Sequence, residues 1–416
     1  MKKLRRILAA LTAVAVMTAS VGCKKEITAE DLMANISEGN ASSKYLDDAF
    51  CDKYSVAAFT MLKNEYSVEG ENVVLSPLAA YYNLAVLANG SSGRSQAEFE
   101  KMLGYYSCED LSALMHSFSD NMKNSENAKL YFENALWFNA DKNVKPSEEF
   151  LSAAKTYFGV SAFKESFNSQ AVNNINNWAS NKTDMYSELI VREIPADAPM
   201  CIVNTTMLDA DWEMPVSIEN AFDGKFTTSA WEEEDARMMA SYEHMYFEND
   251  EYKGFIKPYA GGNYAFLAIV PKFQRKDAIV NLVNYLASRL SYHSLISKRK
   301  AYTVDATIPK FSCEYRGGLK EMLQKVELGR SFDESGANLD LIGTCDGNLY
   351  ASDIYMTTAI NVTEKGTSKG SGATVRDSSV ATHVYPVALN QPFVFAIVDT
   401  TRYLPIILGA VNSVNG

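Results

Sequence analysis

Histidine is the side chain most often recruited to move protons near neutral pH. This chain has four, His116, His244, His293 and His383, widely scattered. None lies in the H-E-x-x-H spacing that turns two imidazoles toward a zinc ion on one helix face. Of six cysteines, Cys23 lies near the start, and Cys51, Cys108, Cys201, Cys313 and Cys345 are dispersed. That odd set, without C-x-x-C spacing, reads as isolated thiols rather than a disulfide framework or a metal clip. G-x-S-x-G and G-x-G-x-x-G are absent too. The residues therefore argue against an enzyme, a bound metal and a cofactor. The most distinctive stretch is instead residues 364–386, EKGTSKGSGATVRDSSVATHVYP, which is small and polar with almost no large apolar side chain. It has little to bury, which predicts an exposed loop. A loop this long in a compact domain is functional or disordered.

The flanks of that loop read as strands. Upstream, residues 350–362 carry Ile354, Met356, Ile360 and Val362 on one alternation; downstream lies FVFAIVD at 393–399. The rest of the chain gives helices first and strands after. Residues 47–66 place Phe50, Tyr54, Ala57, Ala58, Met61 and Leu62 at helical spacing. Ser76-Pro77 supplies an N-cap and a first-turn proline for a second helix running into Ala88. Helical patterns follow at 95–103, 112–122, 147–157 and 171–182, and strand patterns at 128–138, 201–208, 245–252, 264–270 and 302–311. This order predicts an α+β fold, large antiparallel sheets with helices packed over one side. The composition, 47% hydrophobic with 22 Gly and 11 Pro in 416 residues, is ordinary for a globular chain. No Pro/Gly/Ser-rich linker divides residues 50–363, so one large domain is expected. A net charge of −12 favours solubility and argues against nucleic acid or an anionic membrane surface as partner. The sharp basic cluster Lys298-Arg299-Lys300 is explained by a solvated turn.

The first 22 residues read as a signal peptide. Lys2, Lys3, Arg5 and Arg6 precede an apolar core too short for an ordinary membrane span. Ser20-Val21-Gly22-Cys23 resembles a bacterial lipobox, in which the cysteine is lipidated. The alternative is a plain secretory signal. On the lipoprotein reading the protein is extracytoplasmic and meets the membrane only through its anchor. Residues 23–43 then form the lipidated Cys23 and a polar tether, and residues 44–416 the folded domain.

The loop itself carries a family resemblance. EKGTSKGSGAT resembles the hinge of the serpins. The match continues in order along the chain. Residues 72–104, opening NVVLSP, resemble the N-x-x-x-S-P-x-S helix. Residues 203–212 (VNTTMLDADW) resemble the V-N-A-x-Y-F-K-G-x-W strand, and RMM at 237–239 the V-x-M-M strand. Residues 257–259 and 268–271 resemble the L-P-Y and I-x-L-P pair, IPKF at 308–311 resembles L-P-K-F, and NQPF at 390–393 resembles the x-x-P-F near the end. The resemblance implies the serpin fold, large antiparallel or mixed β-sheets with about eight or nine helices, and an exposed reactive-centre loop at about 364–386. It also implies a suicide substrate of serine proteases: cleavage frees the hinge, which inserts into the main sheet and carries the acylated protease with it. It gives Glu364, Gly366, Thr367, Ser368, Gly370, Gly372 and Thr374 the role of hinge. Ser76, Asn204, Trp212 and Met356 fall in the sheet-opening region. Met356 stands where many serpins have a histidine, so a hydrogen-bond donor is lost there.

Alternation gives an inserted strand two faces. The odd set is Thr367, Lys369, Ser371 and Ala373; the even set is Ser368, Gly370, Gly372 and Thr374. Burying Lys369 unpaired is costly, which points to the even set facing inward, although the same parity turns Arg376 inward. The resemblance, through the family's usual spacing counted forward from Glu364 or backward from Pro392-Phe393, implies Val380–Ala381 or Ala381–Thr382 as the reactive bond. Val380 and Ala381 are small and apolar, so the expected partners are serine proteases with a small apolar specificity pocket, elastase-like or subtilisin-like. Arg376 lies too early to serve a trypsin-like pocket. A monomer is expected. The competing reading is a non-inhibitory serpin-fold binding or substrate-like protein.

Overall fold

The computed structural model describes residues 24–67, 71–326, 328–367 and 384–415. Nine α-helices stand among them: α1 (Asp48–Glu65), α2 (Pro77–Asn89), α3 (Gly93–Met102), α4 (Cys108–Asn121), α5 (Glu148–Phe158), α6 (Ser169–Lys182), α7 (Ala278–Leu286), α8 (Ser291–Ser297) and α9 (Lys320–Gln324). The strands in chain order are β1 (Glu30–Asp31), β2 (Val73–Leu75), β3 (Ala128–Asn139), β4 (Lys145–Pro146), β5 (Ser161–Glu165), β6 (Met200–Asp211), β7 (Ala221–Thr227), β8 (Glu233–Glu243), β9 (Met245–Glu248), β10 (Tyr252–Pro258), β11 (Tyr264–Pro271), β12 (Thr303–Pro309), β13 (Phe311–Gly318), β14 (Gly343–Thr344), β15 (Ala351–Val362), β16 (Gly366–Thr367), β17 (Val384–Ala388), β18 (Phe393–Asp399) and β19 (Pro405–Val411).

These strands form a seven-stranded sheet ordered β1-β5-β3-β6-β16-β15-β13, a six-stranded sheet β2-β19-β18-β11-β10-β9, a four-stranded sheet β17-β12-β8-β7 and a small pair β14-β4. The seven-stranded sheet is filled on both faces. Even-numbered residues of β15 and β6, such as Ile354, Met356, Ile360, Ile202 and Leu208, join the main core shared with the six-stranded sheet and α1 to α4. Odd-numbered Cys201 and Val203 join a second core with Trp137, Phe163, Ile175 and Trp178 under α6. The alternation read at 350–362 is thus the alternation of the main core.

Helix α2 is buried from Pro77 through Ala88, on every face, because it runs between the two large sheets. Ser76 caps it by accepting from the Ala79 N–H, and Pro77 opens its first turn, as the dipeptide indicates. The 302–311 strand pattern divides at Lys310. Its first part pairs with β8 in the four-stranded sheet, and the chain then crosses into the seven-stranded sheet as β13. The 245–252 pattern likewise becomes β9 and the start of β10, paired with one another.

The polar tether expected before residue 44 differs most. Residues 24–44 lie along the body. β1 pairs antiparallel with β5 at the edge of the seven-stranded sheet. The Asn181 amide both accepts from the Lys25 N–H and donates to the Lys25 carbonyl. Asn174 accepts from the Thr28 N–H and donates to its hydroxyl. The Lys155 ammonium donates to the carbonyls of Met33 and Ile36. Ile27 and Ala29 pack on the core under α6, and Met33 is buried in the main core. The segment is polar in composition, yet backbone pairing and a few apolar anchors fix it. Cys23 lies outside the described residues.

Candidate functional site: the hinge and the central seam

β6 and β15 run parallel from Ala351↔Met200 to Ala359↔Met207. Beyond that row they part, and β16 enters between them, with Gly366 opposite Asp211 and Thr367 opposite both Ala210 and Val362. Two hinge residues are therefore already seated as strand. The preceding turn is tied down by backbone groups: the Trp212 N–H donates to the Lys365 carbonyl (2.7 Å), the Val216 N–H to the Glu364 carbonyl (2.9 Å), and the Thr363 N–H to the Gly366 carbonyl (2.8 Å). At position 366 a Cβ would stand 2.0 Å from the Ala210 carbonyl oxygen, so only glycine lets the strand sit this close to β6.

Trp212 stands where the hinge enters. Its indole N–H donates to the Thr363 carbonyl (2.9 Å), and its ring stacks on Tyr259 with centroids 4.4 Å apart. The Tyr259 hydroxyl meets the Thr367 hydroxyl at 2.5 Å, inside the core. Below the ring, the Lys257 ammonium lies 5.2 Å from the Trp212 centroid and pairs with Glu243 at 2.6 Å, both almost wholly buried. Outside, Glu364 pairs with Lys310 (3.0 Å) and Lys365 with Asp211 (3.1 Å). Burial opposes ionisation of Glu364, but its own backbone N–H, Lys310 and Arg237 outweigh that and hold the carboxyl below its usual range.

Thr367, the member of the odd set that is described, faces inward. Thr367 is 1% exposed and shares its row with Ala210 and Val362, both in the main core. The expectation that the even set faces inward is corrected. It weighed the cost of one lysine, whereas the frame is set by the close backbone approach at Gly366 and the hydroxyl contact at Thr367. Ser368, Gly370, Gly372, Thr374, Val380, Ala381 and Thr382 lie outside the described residues.

Further down, a buried amide ladder crosses from α2 to the sheet. Asn83 on α2 donates to the Asn134 side-chain oxygen on β3 (2.8 Å), and Asn204 on β6 donates to the same oxygen (2.9 Å). Thr206 donates to the Asn204 oxygen. Met356 lies directly opposite Asn204 across the seam, wholly buried. The ladder therefore stops at β6: among the described residues every side-chain bond of Asn204 runs to β3 or within β6. Ser76 is not part of it. Its hydroxyl donates to the Ile406 carbonyl of β19. Asn83 and Asn134 escaped sequence reasoning. The available signal was an amide seven residues after Ser76, on the same face of an otherwise apolar helix.

The seam itself is poorly satisfied. The hydroxyls of Thr205, Thr357 and Thr358, all buried on β6 and β15, have no hydrogen-bond partner among the described residues. Where the strands part, a cavity of about 440 Å³ opens, lined by Met207, Leu208, Ala359, Ile360, Asn361, Tyr186, Glu71, Asn72, Ser312, Cys313 and Glu314. Burial pushes the thiol of its lining residue Cys313 up to about 12, away from a reactive thiolate. Cys51, Cys108, Cys201, Cys313 and Cys345 are all unpaired thiols. Among the described residues no cluster of His, Cys, Asp or Glu is arranged to hold a metal.

A slot in a central sheet, with the start of its would-be strand already seated, is the arrangement the loop sequence led one to seek. The family model described as Serpin (serine protease inhibitor) matches residues 51–414. The chain belongs to the serpin family. This serpin is 26% identical over 370 residues to a serpin-like protein of Methanosarcina acetivorans, covering 85% of this chain and 83% of that one. It is 24% identical over 362 residues to intracellular coagulation inhibitor 2 of Tachypleus tridentatus, covering 83% and 86%. Among solved structures, the thermophilic serpin tengpin in its native state is 31% identical, with a TM-score of 0.86 over 92% of this chain and 99% of that one. Tengpin in its latent state gives 0.77, over 89% and 100%.

Proposed function

We propose that this serpin inhibits serine proteases whose specificity pocket is small and apolar, as a suicide substrate. The observation that carries the reading is β16: two hinge residues occupy the head of a slot between β6 and β15, which below them pair directly, with buried hydroxyls that have no partner among the described residues. The protease serine attacks the carbonyl of Val380 or Ala381. The acyl ester forms, and the peptide bond to Ala381 or Thr382 breaks, with the new amine leaving on the C-terminal segment. The hinge is then free at its far end, and strand addition follows down the slot. Family membership and the likeness to a coagulation inhibitor support this reading. The higher similarity to native than to latent tengpin fits a slot that is not yet filled.

The test is incubation with pancreatic elastase and with subtilisin, followed by denaturing electrophoresis and mass spectrometry. A covalent complex, with a released peptide beginning at Ala381 or Thr382, is the expected result. Clean cleavage without a complex would favour the non-inhibitory reading. Trypsin is expected to cut at Arg376 and inactivate the protein. A stable complex with a peptide beginning at Asp377 would overturn the assigned bond. The same proposal places the serpin outside the cytoplasm as a monomer, held by lipid at Cys23, which mass analysis of the mature N-terminal peptide decides.

A further inference from the structure

Lys257 and Glu243 carry opposite charges inside the protein, with side chains 1% and 5% exposed. A buried ion pair is a weak source of stability, because desolvation of both ions offsets most of their attraction and a packed apolar pair often serves as well. What a lysine offers that an apolar side chain does not is three N–H donors with definite targets. The Lys257 ammonium donates to the Glu243 carboxylate (2.6 Å) and to the Met214 carbonyl (3.1 Å), and it faces the Trp212 ring. Glu243 is held in turn by the Ser241 hydroxyl, which donates to the same carboxylate oxygen (2.7 Å).

These groups come from three sheets. Lys257 is on β10 of the six-stranded sheet, and Glu243 closes β8 of the four-stranded sheet. Met214 belongs to the turn that follows β6 of the seven-stranded sheet, and residues 212–216 of that turn grip the hinge: the Trp212 N–H holds the Lys365 carbonyl and the Val216 N–H the Glu364 carbonyl. The middle of the turn lies at the surface, with Glu213 and Met214 exposed, so packing does little to fix it there. It is tied to β10 at two successive residues. The Glu213 N–H donates to the Pro258 carbonyl (3.0 Å), and the Met214 carbonyl accepts from Lys257. Glu243 leads to the other end of the loop. It lies opposite Val304 on β12, and Val304 lies opposite Tyr385 on β17, the strand that follows the loop. The Tyr385 ring stacks on both Tyr246 and Tyr302, with centroids 4.6 and 5.0 Å away.

We propose that Lys257 is a positioning residue for the hinge. Oriented by Glu243, it fixes the 212–216 turn from the core side, and the turn presents Glu364 to Thr367 at the head of the central seam. The same ion pair connects the hinge to β17 through β8 and β12, so both ends of the loop are referred to one buried point. An apolar pair in its place keeps the core filled and leaves the turn without its inner tie.

The test is hydrogen exchange on the uncleaved, full mature chain, read at the Trp212 and Val216 amides, alongside urea denaturation. In Glu243→Leu/Lys257→Met, exchange at those two amides is expected to accelerate about tenfold, while the amides of β11 and β18 and the urea midpoint hold. Ser241→Ala keeps the pair and removes one bond to Glu243, and is expected to give the same two amides a rise of about threefold. Unchanged exchange at Trp212 and Val216 in the double variant overturns the proposal. So does a rise spread evenly over the molecule with a lowered midpoint, which would make the pair merely structural. If the double variant does not fold, Ser241→Ala decides by the same two outcomes. The consequence for the reaction rests on the proposed inhibition. A hinge that is not seated begins insertion later, so the serpin consumed per elastase trapped should rise about threefold in the double variant. An unchanged ratio beside accelerated exchange would remove Lys257 from the reaction. If the wild type traps no protease, the proposed function falls, and the exchange result still decides the positioning role.

Discussion

Two short described strands of the seven-stranded sheet sit in opposite circumstances. β1 is at the edge, with both residues exposed; β16 is at the centre, with both buried. β1 is held by side chains that come to it from α5 and α6, so residues on both sides of it are fixed to helices. β16, described as far as Thr367, is held by the turn before it, through Trp212, Val216 and Thr363, and below it β6 and β15 pair directly with one another from the Ala359–Met207 row onward. An edge strand adds backbone bonds on one side and can be complete at two residues. A central strand adds them on two sides, and where β6 and β15 pair directly with one another that gain is unrealised. The contrast sets a central seam with room for a further strand against an edge that is already built.

The largest test of that contrast is loop cleavage. Adding a central strand of the length of β15 makes backbone bonds to both neighbours at roughly 1 kcal/mol each. The midpoint measured by calorimetry should rise by roughly 20 °C. An unchanged midpoint would mean that β16 is as finished as β1. Next in size is Thr367→Arg, which forces a cation against Tyr259 in the core. It should expel β16, destabilise the intact form by about 4 kcal/mol and turn an inhibitor into a substrate, read as cleavage without a complex. Deleting residues 24–36 should cost about 3 kcal/mol through lost burial of Met33 and lost backbone bonds. Urea denaturation measures it, and an unchanged midpoint concentration would show that β1 contributes nothing.

The smallest effect is electrostatic. The Glu364 carboxyl has a depressed folded pKa, so its stabilising contribution is present above the ordinary carboxylate range and is lost as pH falls through the folded value. Stability of wild type relative to Glu364→Gln should therefore shrink between about pH 5 and pH 3, by under about 1 kcal/mol, as expected of a partly exposed pair. A difference that grows on acidification would reverse the assigned sign.

Much of this was legible in the chain, and the failures share a cause. Ser76-Pro77 announced α2 because a cap and a first-turn proline act locally. The alternation at 350–362 announced a two-faced strand because burial there has period two. What escaped depended on partners distant in sequence. The chain changes sheets at Lys310 inside an unbroken run of strand-forming residues. α8 and α9 are short, and α7, though Ile279, Leu282, Val283 and Leu286 recur at helical spacing, spans only nine residues. The segment before residue 44 looked solvated because its bonds are made by its backbone to Asn174, Asn181 and Lys155, side chains more than a hundred residues away. The frame of the hinge was misread for the same reason: Lys369 is visible in the sequence, whereas Tyr259 beneath Thr367 is not.

The four tryptophans happen to be distributed so that the molecule reports on itself. Trp212 is buried, stacked on Tyr259 and bonded to the Thr363 carbonyl at the mouth of the slot. Trp137 and Trp178 are buried in the other core, under α6, where Ile27 and Ala29 of the N-terminal strap also pack. Trp231 is half exposed and belongs to neither place. Indole emission follows the polarity and rigidity of the ring's surroundings. A shift carried by Trp212 alone therefore reads the hinge, and one carried by Trp137 and Trp178 reads the strap. Replacing Trp231 with Phe removes the solvent-lit background, leaving an optical gauge at each end of the sheet's conformational range.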